Sequence, residues 1–372
     1  MKKKEYCSLG IMSGTSLDGL DFSLIKTDGK ENVKNICNGY YEFDVEFRRS
    51  IKKLIKNFNT LNYKKILESS VFKKINQKFS ELIIEKTIFF FSKNLIKLDD
   101  VDIVGLHGNT LIHNPNHGLS IQLGNPGLLS KNLEKLIVSN FRDNDIRNNG
   151  QGAPLVPIYH KSIFSEAGKN IMVVNIGGIS NFSFLIGKRK MIASDIGPGN
   201  KLIDEFCLLN FDKSFDRNGE LSAKGRIIPE LIDVWKKKAF LKKSFPISFD
   251  NFYFKLKDYS DKKNKKVDVL RTLTFFSAYL IFNFQKKLNH RIDKWFFSGG
   301  GIRNHTLMRD LKDLLGEENI LSTNDFGLDP FFIESQAFAY ISVRTLRKLP
   351  SSFPETTGCR ESDECGIIYY PS

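Results

Sequence analysis

The sequence is poor in cysteine, histidine and tryptophan: of 372 residues only five are cysteines, six histidines and two tryptophans. Cys7, Cys37, Cys207, Cys359 and Cys365 are odd in number, widely spaced and without a CxxC pair. That excludes a disulfide framework and a zinc knuckle, and it suits a reducing compartment. His107, His113 and His117 match no common metal-site spacing. Long apolar runs are also missing. No apolar stretch of signal-peptide length follows the basic start MKKKEYCSLG. The greasiest window, Phe275 to Phe284, includes Ser277 and Asn283 and is far short of the ~20 apolar residues a membrane span needs. A cytoplasmic protein with no membrane partner is expected. No internal repeat at a fixed period is visible.

What is present is charge and an ordinary apolar fraction. The sum of 56 Lys and Arg against 42 Asp and Glu leaves +14. Such an excess can serve nucleic acid, an anionic membrane or a phosphorylated substrate. Here the lysines are scattered, which reads as solvated faces, and no nucleic-acid partner is expected. Hydrophobic residues at 41% and charged residues at 26% exclude a wholly disordered or collagen-like chain. The length predicts two or three domains.

Along the chain, Ser8–Met12 and Leu20–Ile25 are apolar runs flanking SGTSLDG, a strand–turn–strand pattern. Residues 45–98 carry apolar positions at helical spacing, and Val101–Leu106 reads as a buried strand. After residue 165 a second block begins. Strands are predicted at Asn170–Asn175, Phe182–Ile186, Met191–Asp195 and Trp295–Ser298, and helices at Gly199–Leu209, Asp268–Leu288 and Phe332–Leu349. Each half thus opens on a strand, a small polar turn and a return strand, the second turn being NIGGISN. The Lys-rich stretch 236–266, with DKKNKK, reads as a surface excursion.

Three turns carry phosphate-binding chemistry. Gly14, Thr15, Ser16, Leu17, Asp18, Gly19, Leu20 and Asp21 combine inward-facing backbone N–H groups with two hydroxyls, and Asp18 or Asp21 could hold a magnesium ion through water. Gly177 and Gly178 form the second turn. Gly299, Gly300 and Gly301 leave a strand for a helix, where backbone can lie against a flat ligand and a helix N-terminus favours anions. Neither GxGxxG nor a Walker loop is present. Two phosphate hairpins and a C-terminal nucleotide loop predict an α/β, two-lobed actin-like or hexokinase-like ATPase, ribonuclease-H-like in each lobe. Lobe I would span 1–165 with 332–372 packed back on it, and lobe II 166–331.

A sugar kinase needs a carboxylate to take a hydroxyl proton, and Asp143 and Asp145 lie between the two hairpins. Each could equally cap a helix or pair with Arg142 or Arg147. His107, Asn109 and Gln122 follow strand-like runs and supply neutral groups suited to a sugar.

The segments GIMSGTSLDGLD, HGNTLIHNP, QLGNPGLL, NFRDNDIRNNGQGAPLVPIYH, NIGGISNFSF, DIGPGNKLIDEF, FSGGGIRNHTLM and ESQAFAYISVRTL together resemble the ordered motif series of bacterial anhydro-N-acetylmuramic acid kinases. The resemblance implies ATP and magnesium as cofactors and 1,6-anhydro-N-acetylmuramic acid as substrate. The product would be N-acetylmuramic acid 6-phosphate, in peptidoglycan recycling. It also implies that Gly14–Asp21 binds ATP, that Asp145 is the catalytic carboxylate, and that Glu334 lies near the sugar with Gly150 and Gln151. The chain departs from the family pattern at Asn140, where Asp is usual, and at Asn109, where Gln is usual. It also departs near 245–250, where a KSTGR-like stretch is missing. These departures keep open a kinase of another sugar on the same fold. The alternative outside enzymes is an ATP- and sugar-binding sensor. A homodimer is an assembly the sequence leaves open.

Overall fold

Two antiparallel ladders build the first sheet from its N-terminal end. Strand β1 (Tyr6–Ser13) pairs with β2 (Gly19–Thr27), and β2 with β3 (Val33–Glu42). On the other side β1 runs parallel to β4 (Ile103–Asn114), and β4 parallel to β6 (Leu136–Ser139). Strand β5 (Leu119–Leu123) folds back on β4, and β12 (Ile367–Tyr369) closes the far edge against β6. The computed structural model that gives this arrangement describes residues 5–14, 17–58, 63–239, 246–249, 253–288 and 290–371. The chain divides into two compact units, 1–163 with 332–372, and 164–331.

The first unit depends on small residues at one contact. Helix Ile333–Leu346 lies so close to the sheet that a Cβ on Gly10 would stand 1.9 Å from the Ser335 carbonyl oxygen, and one on Gly105 2.2 Å from Ser342 Oγ. Because the helix is buried nearly throughout, its polar groups are satisfied internally. Ser335 Oγ meets Ser23 Oγ at 2.7 Å, Gln336 Oε1 accepts from the Tyr159 hydroxyl at 2.7 Å, and Arg344 Nη1 donates to the Gly29 carbonyl at 2.7 Å.

The second unit repeats the same strand plan. Its sheet runs β9 (Lys190–Pro198), β8 (Ile179–Ile186), β7 (Asn170–Ile176), β10 (Lys294–Ser298), β11 (Ile320–Leu321). The central order is the same in both units, β3-β2-β1-β4-β6 in the first and β9-β8-β7-β10-β11 in the second, with β2 and β8 antiparallel to both neighbours and the strands beyond β1 and β7 parallel to them. That is the ribonuclease-H-like topology of actin-like ATPases, as the paired hairpins predicted. The apolar run of β7 is buried on both faces, as expected of a strand flanked by parallel and antiparallel neighbours under helices.

Two expectations need correction. The window Phe275–Phe284 belongs to a longer helix, Lys266–Gln285, which has the length and hydropathy to cross a membrane but is the core helix of this unit, with Leu270, Leu273, Phe276, Leu280 and Ile281 buried. The stretch 236–266 is not a mere surface excursion. Phe254 and Tyr259 are buried, and they pack with Trp235 and Phe276, Trp235 lying 5.6 Å from Phe276 between ring centroids. Lysines crowd the composition, but Phe254 and Tyr259 among them turn inward. The same core helix donates both guanidinium nitrogens of Arg271 to Asp310 of helix His305–Leu315, each at 2.6 Å, with both side chains buried.

Candidate active site

Asp145 sits in a short helix, Asp143–Arg147, followed by a glycine-rich loop. Its side chain is fully buried. Oδ2 accepts the Gly152 N–H at 2.6 Å, and Oδ1 accepts the Thr357 hydroxyl at 2.5 Å. The loop is shaped to admit this carboxylate: a Cβ on Gly150 would stand 2.2 Å from Oδ2, and Gly152 has φ +67°. Gly150 N–H also donates to the Asp145 carbonyl at 2.7 Å, and Gln151 N–H to the Thr357 carbonyl at 2.7 Å.

A chain of contacts leads from Asp145 to the first turn. Arg142 Nη1 donates to the Gly152 carbonyl at 2.7 Å, and its Nη2 lies 3.0 Å from His107 Nε2. Arginine can only donate, so Nε2 accepts and the imidazole proton sits on Nδ1, 3.0 Å from the Gly108 carbonyl. Two residues on, Asn109 Nδ2 donates to the Gly14 carbonyl at 2.9 Å and reaches Ser13 Oγ at 3.3 Å. Asn109 therefore braces the turn, while its Oδ1 is buried without a protein partner among the described residues. Gln122 Nε2 donates to Ser120 Oγ at 2.8 Å, and the same hydroxyl lies 3.0 Å from His113 Nδ1.

In the turn itself Thr15 and Ser16 lie outside the described residues. Leu17 is buried at φ 57°, with its N–H on the Gly14 carbonyl. Asp18 forms an ion pair with Arg48 at 2.6 Å. Gly19, Leu20 and Asp21 already belong to β2, where Asp21 stands opposite Met12 and Tyr40. Burial, then the charges of Asp18, Glu42 and Asp21, push the Tyr40 hydroxyl up to about 12. Asn140, where the family pattern has Asp, takes the left-handed φ of 57° and donates Nδ2 to Asp143 Oδ2 at 3.1 Å. Glu334 comes from another element, the first turn of helix Ile333–Leu346, and is half-buried there.

The second unit brings its two glycine turns side by side, at the C-terminal ends of the parallel strands β7 and β10, where Asn175 pairs with Ser298. Gly299 has φ +82°, and a Cβ there would meet Asn175 Oδ1 at 2.1 Å; a Cβ on Gly301 would meet Ile176 Cγ2 at 2.2 Å. A Cβ on Gly300 would meet nothing within 4 Å, so this backbone borders open space. Gly177 and Gly178 are held by the loop after β9: Asn200 N–H donates to the Gly177 carbonyl at 2.8 Å, and Gly199 N–H to that of Gly178 at 2.9 Å. Near 245–250 the described part, 246–249, backs β9, with Ile247 N–H on Ser194 Oγ at 2.9 Å and Phe249 N–H on Asp195 Oδ2 at 2.7 Å; Phe245 and Asp250 lie outside the described residues.

Sequence reasoning missed Thr357, because PSSFPETTGCR shows only turn residues and no periodic pattern.

Three imidazoles of the first unit are neutral in the fold. Burial first, then the Arg142 charge, lowers His107 well below its ordinary value and His113 to about 3; burial alone takes His160 to about 3. Against His107 lies the ring of Phe338, 4.3 Å between centroids. Below pH 6.5, the ordinary imidazole value, the unfolded chain binds protons that the folded unit refuses. Stability falls as pH drops, by about 1.4 kcal/mol per pH unit for each such group, and for His113 and His160 the loss continues down to about pH 3. Urea midpoints taken from pH 7.5 to 5 should decline through this range; a flat series would show that these rings protonate in the fold.

The sequence profile of the anhydro-N-acetylmuramic acid kinase family matches residues 6–371. The anhydro-N-acetylmuramic acid kinase of Pelagibacter ubique (strain HTCC1062) is 37% identical, over 98% of this chain and 99% of its own length. That of Rhodopseudomonas palustris (strain ATCC BAA-98 / CGA009) is 35% identical over the same shares. That of Neisseria meningitidis (serogroup C, strain FAM18) is 33% identical, over 97% of this chain and 98% of its own. Among solved structures, the ADPNP-bound activator of the 2-hydroxyisocaproyl-CoA dehydratase of Clostridium difficile aligns at 10% identity, over 92% of this chain and 96% of that one, with a TM-score of 0.42.

Proposed function

The chain belongs to the anhydro-N-acetylmuramic acid kinase family, and from that premise we propose that it uses ATP to convert 1,6-anhydro-N-acetylmuramic acid into N-acetylmuramic acid 6-phosphate. The observation that carries this reading is the match over nearly the whole chain. As a consumer of ATP and of a cell-wall fragment, it works in the cytoplasm.

The chemistry couples two bond changes. Water attacks the anomeric carbon, the bond from that carbon to O6 breaks, and O6 takes the γ-phosphoryl group while ADP leaves. The water's proton needs an acceptor, and Asp145 is that base. Its burial and its place after Arg142 and before the Gly150–Gly152 loop support the assignment. Gly152 N–H on Oδ2, Thr357 on Oδ1 and the Cys359 thiol fill three of the four lone-pair sites of this carboxylate, and the last is assigned to the water. His107, Gln122, Gln151 and Glu334 are assigned to the sugar. Asn109 is reassigned to bracing the phosphate turn through Gly14, and Gly150 to making room for the Asp145 carboxylate.

Gly14 to Asp21, Gly177, Gly178 and Gly299 to Gly301 are assigned to ATP, the open flank of Gly300 to its flat portion. The oxygen donors of Asp18 and Asp21, both near Tyr40, fit a hard cation held through water. Asp18 also pairs with Arg48. Magnesium bound there would neutralise phosphate charge.

The test is the product formed from ATP and the anhydro sugar in ¹⁸O-water. One phosphate added with one labelled oxygen at the anomeric hydroxyl is expected. A phosphorylated sugar without label, or ADP released with the sugar unchanged, would overturn the reading.

A further inference from the structure

We propose that Thr357 is a positioning residue for Asp145, acting from the C-terminal tail to hold the carboxylate in the plane from which it takes the water's proton. The inference rests on Asp145 being the base. Asp145 and Thr357 are 212 residues apart, and both side chains are fully buried.

An ionised carboxylate only accepts, so in the 2.5 Å contact the Thr357 hydroxyl is the donor. The same hydroxyl lies 3.3 Å from the Phe353 carbonyl. It has one proton, and the short bond to a charged acceptor is the stronger of the two. Thr357 and the Gly152 N–H grip different oxygens of one carboxylate, at 2.5 and 2.6 Å, from different segments. Rotation of the carboxylate about its last torsion would break both bonds together. A general base must be oriented as well as ionised, since misplacement by about 1 Å can cost on the order of 100-fold in rate.

The tail is built to keep Thr357 in place. The Thr357 carbonyl accepts the Gln151 N–H at 2.7 Å, so the residue holds the loop as well as the carboxylate. Arg360 N–H donates to the Asn148 carbonyl at 3.0 Å, and Asn148 Nδ2 to the Glu361 carbonyl at 2.8 Å. Farther on, the Cys365 carbonyl accepts from Thr345 of helix Ile333–Leu346, and β12 pairs with β6. The loop that follows Asp145 is therefore clamped by residues that neither glycine turn nor sugar motif includes.

Thr357→Val keeps the shape of the side chain and removes the donor. Loss of one hydrogen bond to a charged group predicts a fall in kcat of about 10–100-fold, with KM for ATP and for the sugar unchanged. Thr357→Ser restores the donor and should return kcat to within about threefold. In an Asp145→Asn background the valine change should cost less than about twofold, because a residue acting through Asp145 has nothing left to position. Thr357→Ala, which adds no bulk, is read in the same way if the valine variant melts early.

Wild-type kcat in Thr357→Val, or the same loss in both backgrounds, would overturn the inference. Near-normal turnover of Asp145→Asn alone would instead overturn the assignment of the base, so the two failures are distinguishable.

Discussion

Asp145→Asn should lose at least about 10⁴-fold in turnover while ATP affinity changes little. Removal of a general base typically costs about 10²–10⁴-fold. Here one group serves the attack that also releases O6 toward phosphate, so the upper end or beyond is expected. Asparagine keeps the size of the side chain: its Oδ1 can accept from Gly152 N–H while its Nδ2 donates to the Thr357 hydroxyl, which turns its own proton to the Phe353 carbonyl. The fold should therefore survive. ATP affinity should hold because the glycine turns are other segments. Asp143→Asn is the control two residues away. Its carboxylate accepts from Asn140 Nδ2 at 3.1 Å, a local bond that an asparagine oxygen can also accept, and turnover should stay near normal. Single-turnover rates with both variants decide the matter. An active Asp145→Asn beside a dead Asp143→Asn would move the base by two residues, and two active variants would refute the mechanism.

Asp310→Ala should be the most destabilising change in the second unit, by about 3–5 kcal/mol. The Arg271 guanidinium makes two 2.6 Å bonds to this carboxylate, and both side chains are buried. Burial chiefly, and the Asp313 charge, push the Asp310 carboxyl above its ordinary value, and Arg271 opposes that push. Deleting the carboxylate strands a guanidinium that cannot shed its proton. Exchanging both residues for apolar ones of similar size, Arg271→Met with Asp310→Leu, should cost far less, because no charge is left unpaired. Urea unfolding of the three proteins measures this. A loss under about 1 kcal/mol for Asp310→Ala would mean that water reaches Arg271 in the fold.

The sequence by itself determined whatever depends on neighbours along the chain. The paired hairpins, β1–β2 and β7–β8, were legible because strand, small turn and return strand are contiguous, and a buried strand writes its apolar run directly into the sequence. The long core helix was legible from its spacing, within a few residues of its ends. Asp143 and Asp145 were legible as candidates but indistinguishable by local pattern. What separates their surroundings is burial and two hydrogen bonds, one from Thr357 at a distance of 212 residues.

Other decisions belong to tertiary structure for the same reason. Asn109 was legible as a small polar residue after an apolar run and so as a candidate sugar ligand; that it also braces Gly14 is decided by the parallel pairing of β4 with β1. The segment 236–266 looked solvated because lysine dominates its composition, yet packing against the core helix buries Phe254 and Tyr259 and leaves most of its described lysines to water. Composition counts residues without regard to direction. Which side chain turns inward, and which tail residue reaches a carboxylate, is set only when distant segments compete for the same buried space.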